Sequence, residues 1–354
     1  MPLTALSPDD PRWTDLVAAA GADMFYEPAF ARFRTAGSPH KPLMLCYEDA
    51  LGTVFDVTVA KSIASLPFFE LVRTELPASL VDVASPEYNG PVVLGGDRKE
   101  LIARYRSAVE EYLRDISAVT EFVRLHPLNR AKPELAAHVP LHEASQIVYV
   151  DLRGGYEKAW KEYRKGHRST IKKAKSQGVA VTFVPSDADH LAEFVALYDS
   201  TMERRHGKQV YPAEFFSSLF QHLGQRALLV ESRLHDRLAV SAVFLAGRKH
   251  LWYYFAGSDE ELIKSGASTY MVDWVIRWAA ERGIEFVMLG GGFEPGDSLY
   301  TSKRGFSHLM TGVNHIRRVC SPEHLLALQN AKAEYDRAHG RQTRLDYFPS
   351  YWLA

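Results

Sequence analysis

The chain has 354 residues, which is long for one domain and sufficient for two. Apolar residues make up 46% of the sequence and charged residues 24%, the ordinary composition of a globular protein. Because 42 Lys and Arg nearly balance 43 Asp and Glu, there is no overall basic field to favour DNA, and a nucleic-acid partner would need a local patch. We find no signal-peptide pattern and no long apolar run, so we expect a cytoplasmic protein without a membrane span.

Familiar catalytic and metal-binding motifs are absent from the sequence. No HExxH, CxxC, Walker loop or GxSxG occurs, which argues against a metalloenzyme and against a serine hydrolase. The two cysteines, Cys46 and Cys320, lie far apart and indicate thiols of a reducing compartment. We therefore predict no metal site.

Helical and strand patterns alternate along the chain, which predicts α/β layers. In the first half we expect helices at 12–20, 28–35 and about 100–117, and strands at 42–47, 54–60 and 121–126. Proline, asparagine and glycine in SPEYNGPVVLGG (85–96) predict irregular turns. Segment 129–144 is the best candidate for a domain boundary.

The second half has a clearer order of elements. We expect strands at 146–152, 179–184, 227–231, 239–246, 250–256, 285–289 and 312–319. Helices are expected at 156–177, 189–205, 213–223 and 266–282, with Gly178 ending the first and Gly166 interrupting it. Three glycines follow the strand that ends at 289, and a short polar segment then brings Lys303, Arg304 and Phe306.

The region 158–175 is strongly basic although the protein is nearly neutral. It holds eight Lys or Arg residues and one acid, Glu162. Its apolar residues recur at helical spacing, so one face is expected to be buried and the others charged. Such a helix is either a solubilising surface or a binding surface for a polyanion such as an RNA backbone or a diphosphate.

The order of elements in the second half resembles that of the GNAT acyltransferase fold, in which two neighbouring strands part and admit an acyl donor. The first half shows a looser version of the same order. The sequence therefore predicts an α/β (α+β) protein of two tandem GNAT-like subdomains, each a mixed, mostly antiparallel sheet flanked by helices. We expect the acceptor-side subdomain at 1–140, the acyltransferase subdomain at 141–325, and a C-terminal helix and tail at 326–354.

Seven segments resemble motifs of the FemABX family, whose members transfer aminoacyl groups from charged tRNA to an amine. They are VDVASPEYNGPVVL (81–94), EFVRLHPL (121–128), WKEYRKGHRSTIKKAKSQGVAV (160–181), LYDSTMERRHG (197–207), SGASTYMVDWVIRWAAERGIEFVMLGGG (265–292), SLYTSKRGFS (298–307) and DYFPSYW (346–352). Ser302 stands where the family usually has phenylalanine. The coiled-coil arm of some members is absent, so the chain resembles a compact member.

The resemblance implies an aminoacyl-tRNA donor and no bound cofactor. Lys303 matches the family's catalytic lysine, and we expect it to stabilise the oxyanion or to contact the donor's terminal ribose. The residues expected to bind the donor are Arg164, Lys165, Arg168, Lys172, Lys173, Gly266 and Arg304. Acyl-CoA is the alternative donor, although the loop SDEELIKSGAS (258–268) lacks the glycines that hold the CoA pyrophosphate in GNAT enzymes.

The expected acceptor is an amine-bearing small molecule or peptide, either a peptidoglycan precursor or a secondary metabolite. The residues that the resemblance assigns to it are Arg205, Arg204, Asp82, Tyr88, Asn89 and Tyr254, with His206 and Tyr253 as alternates. An arginine fork would suit a phosphate or carboxylate on the acceptor. His126 and His167 are the candidates for a general base. A non-catalytic RNA-binding module is a third interpretation, and the amino acid donated and the oligomeric state stay open.

Overall fold

Two units make up the chain in its computed structural model, which describes residues 3–205, 210–292, 296–344 and 347–352. Unit 1 combines residues 1–144 with 313–354, and unit 2 consists of residues 145–312. Each unit has a sheet, flanking helices and a buried apolar core of its own. Among the described residues, none of the helices combines the length and the hydropathy needed to cross a membrane.

Unit 1 begins with alternating strands and helices. Its elements are β1 (Leu3–Leu6), α1 (Pro11–Ala20), α2 (Pro28–Thr35), β2 (Lys41–Asp49), β3 (Gly52–Ser62), β4 (Val81–Asn89), β5 (Val92–Gly95), α3 (Arg98–Asp115), β6 (Ala118–Leu125) and α4 (Lys132–Leu135). Asp10 and Asp97 cap α1 and α3 by accepting a hydrogen bond from a main-chain N–H of the first turn. Leu101, Ile102 and Tyr105 of α3 contribute to the core of this unit.

The strands of unit 1 pair in the order β1-β2-β3-β4-β6, and β5 also pairs with β3. β4 and β6 are parallel, whereas the other pairs are antiparallel. The prediction of irregular structure at 85–96 is wrong, because β4 and β5 occupy most of this segment. Pro86 is tolerated because the pairing of β4 with β6 shifts register between Ala84 and Tyr88.

Unit 2 follows, and the sequence predicted most of its elements, although not the short helix Ser298–Lys303 and not the division of 156–177 into two helices. The elements of this unit are β7 (Leu141–Asp151), α5 (Tyr156–Glu162), α6 (Lys165–Ser176), β8 (Val179–Val184), α7 (Ala188–Arg204), α8 (Ala213–Leu223), β9 (Ala227–Leu234), β10 (Arg237–Ala246), β11 (His250–Ser258), α9 (Ala267–Glu281), β12 (Phe286–Gly290) and α10 (Ser298–Lys303). Met271, Val275 and Ile276 of α9 share one core with Val287 and Leu289 of β12.

The strands of unit 2 lie in the order β7-β12-β11-β10-β9-β8. β11 and β12 are parallel, and the other neighbouring pairs are antiparallel. The predicted α/β class with mostly antiparallel sheets is therefore confirmed.

The chain returns to unit 1 through β13 (Met310–Val319) and α11 (Pro322–Ala338). β13 pairs antiparallel with β6, from His315 with Arg124 to Val319 with Thr120. This pairing differs from the sequence-based division, which placed residues up to 325 in the second subdomain and 326–354 in a separate segment. Pairing between strands that are distant in sequence leaves no local signal in either strand.

The basic region forms two helices, and the break between them is not at the predicted place. Tyr163, just after α5, is extended with φ −61° and ψ 140°, and α6 begins at Lys165. The prediction that Gly166 breaks the helix is wrong, because Gly166 lies in the first turn of α6. Tyr163 is buried against Phe306, with ring centroids 5.1 Å apart. Tertiary packing thus selects the position of the break.

A buried carboxylate, Asp82, anchors the C-terminal segment of unit 1. It accepts hydrogen bonds from the Thr120 hydroxyl (2.6 Å), the Tyr351 hydroxyl (2.7 Å) and the Trp352 indole N–H (2.6 Å). Burial raises the pKa of Asp82, and these hydrogen bonds oppose that effect. The side chain predicted to bind the acceptor is therefore engaged by three donors of the protein itself.

We expect Asp82→Ala to lower the free energy of unfolding by about 3 kcal/mol, because three buried donors lose their shared acceptor. Glu70→Ala, which removes an exposed ion pair with Arg73, is the control and should lower it by less than about 0.5 kcal/mol. Urea unfolding followed by tryptophan fluorescence measures both variants. Equal effects of the two substitutions would show that Asp82 is not an anchor.

Candidate active site

The site is built around the place where β11 and β12 part. Their pairing runs from His250 with Phe286 to Trp252 with Met288. β11 continues to Ser258 past the last paired residue, whereas β12 ends at 290. Main-chain groups beyond the last pair are released from the ladder between these two strands and can meet a ligand.

Helix α10 brings Lys303 to this opening. Asp297 caps the helix by accepting a hydrogen bond from the Tyr300 N–H at 2.6 Å. Lys303 is the last residue of α10, and its Nζ donates to the carbonyl oxygen of Gly291 at 2.6 Å. The same Nζ lies 5.9 Å from the centroid of the Tyr253 ring. The lysine is thus held beside the first residue of β11 that has left the pairing with β12.

Burial gives Lys303 an unusual protonation equilibrium. It lowers the pKa of Lys303 to about 8, while Asp297 raises this pKa and Arg205 lowers it through their charges. Burial raises the pKa of Tyr253, which a hydrogen bond with Ser268 and the charge of Arg205 oppose. At neutral pH the site therefore offers a mostly protonated lysine and a nearby arginine, which can stabilise an oxyanion and attract an anionic substrate.

The cations predicted to bind the donor fall into two groups. Four of them are exposed cations on α6 or just before it, and we call them the basic surface: Arg164, Lys165, Lys172 and Lys173. Arg168 instead turns inward and donates to the carbonyl oxygens of Lys161 at 3.0 Å and Tyr163 at 2.7 Å. Arg304 donates to the carbonyl oxygen of His308. Arg168 therefore secures the main chain just before the basic surface, and Arg304 secures the main chain just after Lys303.

Gly266, the remaining donor-binding candidate, caps the start of α9 and packs on α6. Its φ of 78° is in the left-handed region, and a Cβ at this position would lie 2.6 Å from Thr170 Cγ2. The N–H of Ala267 donates to Ser265 Oγ at 3.2 Å. Because α6 covers this helix start and one of its N–H groups is engaged, the position is poorly suited to a pyrophosphate.

Among the acceptor candidates of unit 2, Arg205 acts on Lys303 through its charge and lowers the pKa of the lysine. Arg204 instead donates to the carbonyl oxygen of Ser258 at 3.0 Å and ties α7 to β11. Tyr253, rather than Tyr254, is the tyrosine near Lys303, since successive side chains of a strand point to opposite faces. His206 lies outside the described residues.

The acceptor candidates of unit 1 lie on β4 and not in a loop. Asp82 anchors the C-terminal segment, as described above. Asn89 is buried, and its Oδ1 accepts a hydrogen bond from the Val57 N–H at 3.1 Å. Tyr88 lies opposite Arg124 in the sheet, with the guanidinium 5.6 Å from its ring centroid. Asp82 and Asn89 thus have structural roles, and Tyr88 packs beside a cation.

A cavity of about 170 Å³ in unit 1 has no counterpart in the sequence prediction. Its lining includes Arg34 from the end of α2, Lys61 from β3, and Arg124 from β6, which bonds to Glu87 at 2.6 Å. The Nζ of Lys61 lies 3.4 Å over the ring of Trp352. Three cations and one carboxylate suit an anionic group. Only tertiary contacts bring these residues together, so no local pattern could have revealed them.

Both histidines considered as a general base are engaged in hydrogen bonds. His126 is buried in unit 1, where its Nε2 lies 3.1 Å from Asp23 Oδ2. His167 is in unit 2, where its Nε2 lies 2.8 Å from the carbonyl oxygen of Ser302. Neither arrangement identifies a group that takes a proton from a substrate amine.

One cluster in unit 2 has metal-ligating residue types. His190, Glu193 and Glu231 place one ligand atom each within 4.8 Å of one another. Arg233 donates to both glutamates, so a cation of the protein already engages the carboxylates of this cluster. We assign no metal to it.

Comparisons with known proteins agree with this architecture. The family described as "Acetyltransferase (GNAT) domain" matches residues 161–300, which include α6 and the parted strands β11 and β12. The chain has the GNAT fold. This match supports an acyltransferase. No curated protein matches the chain in sequence.

Three solved structures share the fold over most of the chain at low sequence identity. FemX has a TM-score of 0.71 at 12% identity, covering 93% of this chain and 99% of FemX. L-PGS from Bacillus licheniformis has a TM-score of 0.52 at 9% identity, covering 88% and 92%. The C-terminal domain of a putative lysylphosphatidylglycerol synthetase from Agrobacterium fabrum has a TM-score of 0.50 at 13% identity, covering 91% and 95%. The FemX-like architecture predicted from the sequence is confirmed.

We expect Lys303→Met to raise the free energy of unfolding at pH 7, because the folded state lowers the pKa of this lysine and so disfavours its charged form. The free-energy cost of holding a charged lysine in the folded state is complete below pH 8 and disappears as the pH rises towards 10.5, the ordinary pKa of lysine. The stability advantage of Lys303→Met over the wild type should therefore shrink between pH 8 and 10.5. Lys172→Met, at an exposed position of α6, is the matched control. Urea unfolding at pH 7 and pH 10 tests this, and a destabilised Lys303→Met protein at pH 7 would contradict it.

Proposed function

We propose that the chain is an aminoacyltransferase that forms an amide bond by moving an amino acid from aminoacyl-tRNA to the amine of a peptidoglycan precursor or of a secondary metabolite. The observation that carries the proposal is the partly buried Lys303 at the parted strands, next to a helix that presents an exposed basic surface. The likeness to FemX supports the same assignment. Charged tRNA as donor implies action in the cytoplasm.

The chemistry needs no covalent intermediate with the protein. The neutral acceptor amine attacks the ester carbonyl of the donor, and a C–N bond forms as the carbonyl oxygen becomes an oxyanion. Lys303 stabilises that oxyanion with its ammonium group. The C–O bond to the ribose then breaks, and the ribose hydroxyl leaves with the proton that the amine gives up. This route needs no general base from the protein, because the substrates exchange the proton between them, and it is consistent with the hydrogen bonds that engage His126 and His167.

Two features favour a tRNA donor over CoA. The basic surface offers four exposed cations to a sugar-phosphate backbone, which gives affinity through counterion release. The start of α9, where GNAT enzymes hold a pyrophosphate, is covered by Thr170 at the position of Gly266. Acyl-CoA is nevertheless the second candidate donor, because the matched family is described as an acetyltransferase.

We assign the acceptor-binding function to unit 1, as the sequence resemblance implies. The cavity lined by Arg34, Lys61 and Arg124 supports an acceptor with a phosphate or carboxylate group. Arg205, which is near Lys303 in unit 2, suits the same type of group.

A donor panel tests the proposed function. Product from a mixture of charged tRNAs and a generic amine should disappear after RNase treatment, and acetyl-CoA or acyl-CoA should give none. Lys172→Ala and Lys173→Ala together should raise KM for charged tRNA severalfold at 0.15 M salt and leave kcat unchanged, because they remove phosphate contacts away from Lys303. Turnover that survives RNase, or saturable binding of acyl-CoA in calorimetry, would contradict the tRNA donor and favour acyl-CoA.

We expect Lys303→Ala to lower kcat by about 10²–10³, the usual effect of removing one oxyanion donor. In the wild type, kcat should fall as the pH rises through about 8, because the lysine loses the charge that stabilises the oxyanion. Lys303→Arg should move this fall to higher pH, since a guanidinium keeps its proton. Rate profiles between pH 6 and 10 provide the measurement. An unchanged kcat in Lys303→Ala would mean that the chemistry occurs elsewhere.

A further inference from the structure

His167 connects the basic helix α6 to the segment that carries Lys303. It lies in the first turn of α6, and its Nε2 is 2.8 Å from the carbonyl oxygen of Ser302, the residue before Lys303. A carbonyl oxygen only accepts, so Nε2 must carry the hydrogen. The imidazole therefore donates to the main chain of α10.

The space for this ring exists because residue 305 is glycine. A Cβ at Gly305 would lie about 2 Å from the imidazole, at 2.0 Å from Cε1 and 2.1 Å from Nε2 of His167. The ring also meets Phe306 edge to face, with centroids 4.8 Å apart and planes at 90°. Any other side chain at 305 would displace the histidine from α10. The imidazole of His167 therefore fits closely against both Gly305 and Phe306.

A second link runs beside the first. The N–H of Arg164, the residue before α6, donates to the carbonyl oxygen of Gly305 at 2.9 Å. The start of α6 is thus joined to the chain on both sides of Lys303, through Ser302 and through Gly305. Lys303 cannot shift along its own segment without stretching one of these two hydrogen bonds.

Burial lowers the pKa of His167, and the charge of Arg164 lowers it further, while the hydrogen bond to Ser302 opposes both effects. The ring is accordingly neutral near pH 7 and already donates its one N–H to a carbonyl. These facts favour a positioning role over the role of a general base.

We propose that His167 is a positioning residue that fixes Lys303 to the basic helix, so that the element that presents the basic surface to the donor also sets the place of the lysine at the parted strands. This inference rests on the proposed function only for the catalytic role of Lys303. The positioning itself concerns the protein alone and can be measured without any substrate.

The test compares three side chains at position 167 in the full-length protein. His167→Phe keeps an aromatic ring but loses the N–H donor, and His167→Gln keeps a donor the same number of bonds from the main chain. The first readout is the pH midpoint for the reaction of Lys303 with an amine-selective reagent, followed by mass spectrometry. The midpoint should be about 8 in the wild type and stay near it in His167→Gln. It should move towards 10.5 in His167→Phe as the lysine becomes more exposed to solvent.

The second readout separates positioning from binding. His167→Phe should lower kcat about fivefold to tenfold with an unchanged KM for charged tRNA, because one hydrogen bond is lost while the basic surface is intact. His167→Gln should restore most of kcat. Thermal melts of the three proteins check that each is folded.

Three results would overturn the inference: an unmoved midpoint in a folded His167→Phe protein, equal defects in His167→Phe and His167→Gln, or a raised KM for tRNA with an unchanged kcat. A midpoint shift in His167→Phe, together with a wild-type protein that transfers nothing from charged tRNA, would support the positioning and refute the proposed donor. The two proposals therefore fail in different ways.

Discussion

The hydrogen bond from Lys303 Nζ to the Gly291 carbonyl is the interaction on which the site depends. It joins the end of α10 to the chain that has just left β12, and it holds an ammonium group in surroundings that disfavour its charge. Keeping the lysine charged in these surroundings lowers the free energy of unfolding, and the packing of the neighbouring elements has to offset that loss. A lysine held in this way needs little rearrangement when an oxyanion forms, which is the physical basis of its proposed role.

The sheet of unit 2 forms the opening at which Lys303 lies. β11 and β12 pair over three residues and then part, so that Tyr253 is close to the lysine and main-chain groups leave the ladder. α9 packs behind these strands and fixes their positions through its buried face. The basic surface lies on α6, which contacts α9 at Gly266 and the Lys303 segment at Ser302. The proposed donor binding and the proposed chemistry therefore depend on one set of packed elements.

Unit 1 shows how far a sequence motif can mislead about roles. The segment VDVASPEYNGPVVL resembles a family motif and was expected to bind the acceptor, yet its Asp82 and Asn89 accept hydrogen bonds from donors inside the protein. The cations of the cavity come from α2, β3 and β6, which are separated in sequence. A search for motifs finds residues that are close in the chain, whereas a cavity collects residues from elements that the sheet brings together.

The sequence by itself determined most of the element order, the mostly antiparallel α/β class and the basic character of residues 158–175, because periodicity, capping residues and short motifs are local properties. Tertiary structure alone decided the break at Tyr163, the return of β13 to unit 1, the choice of Tyr253 over Tyr254 and the fit of His167 against Gly305. The physical reason is that each of these depends on which distant group fills a space or satisfies a hydrogen bond. Such choices are made only when the sheet and its helices are packed.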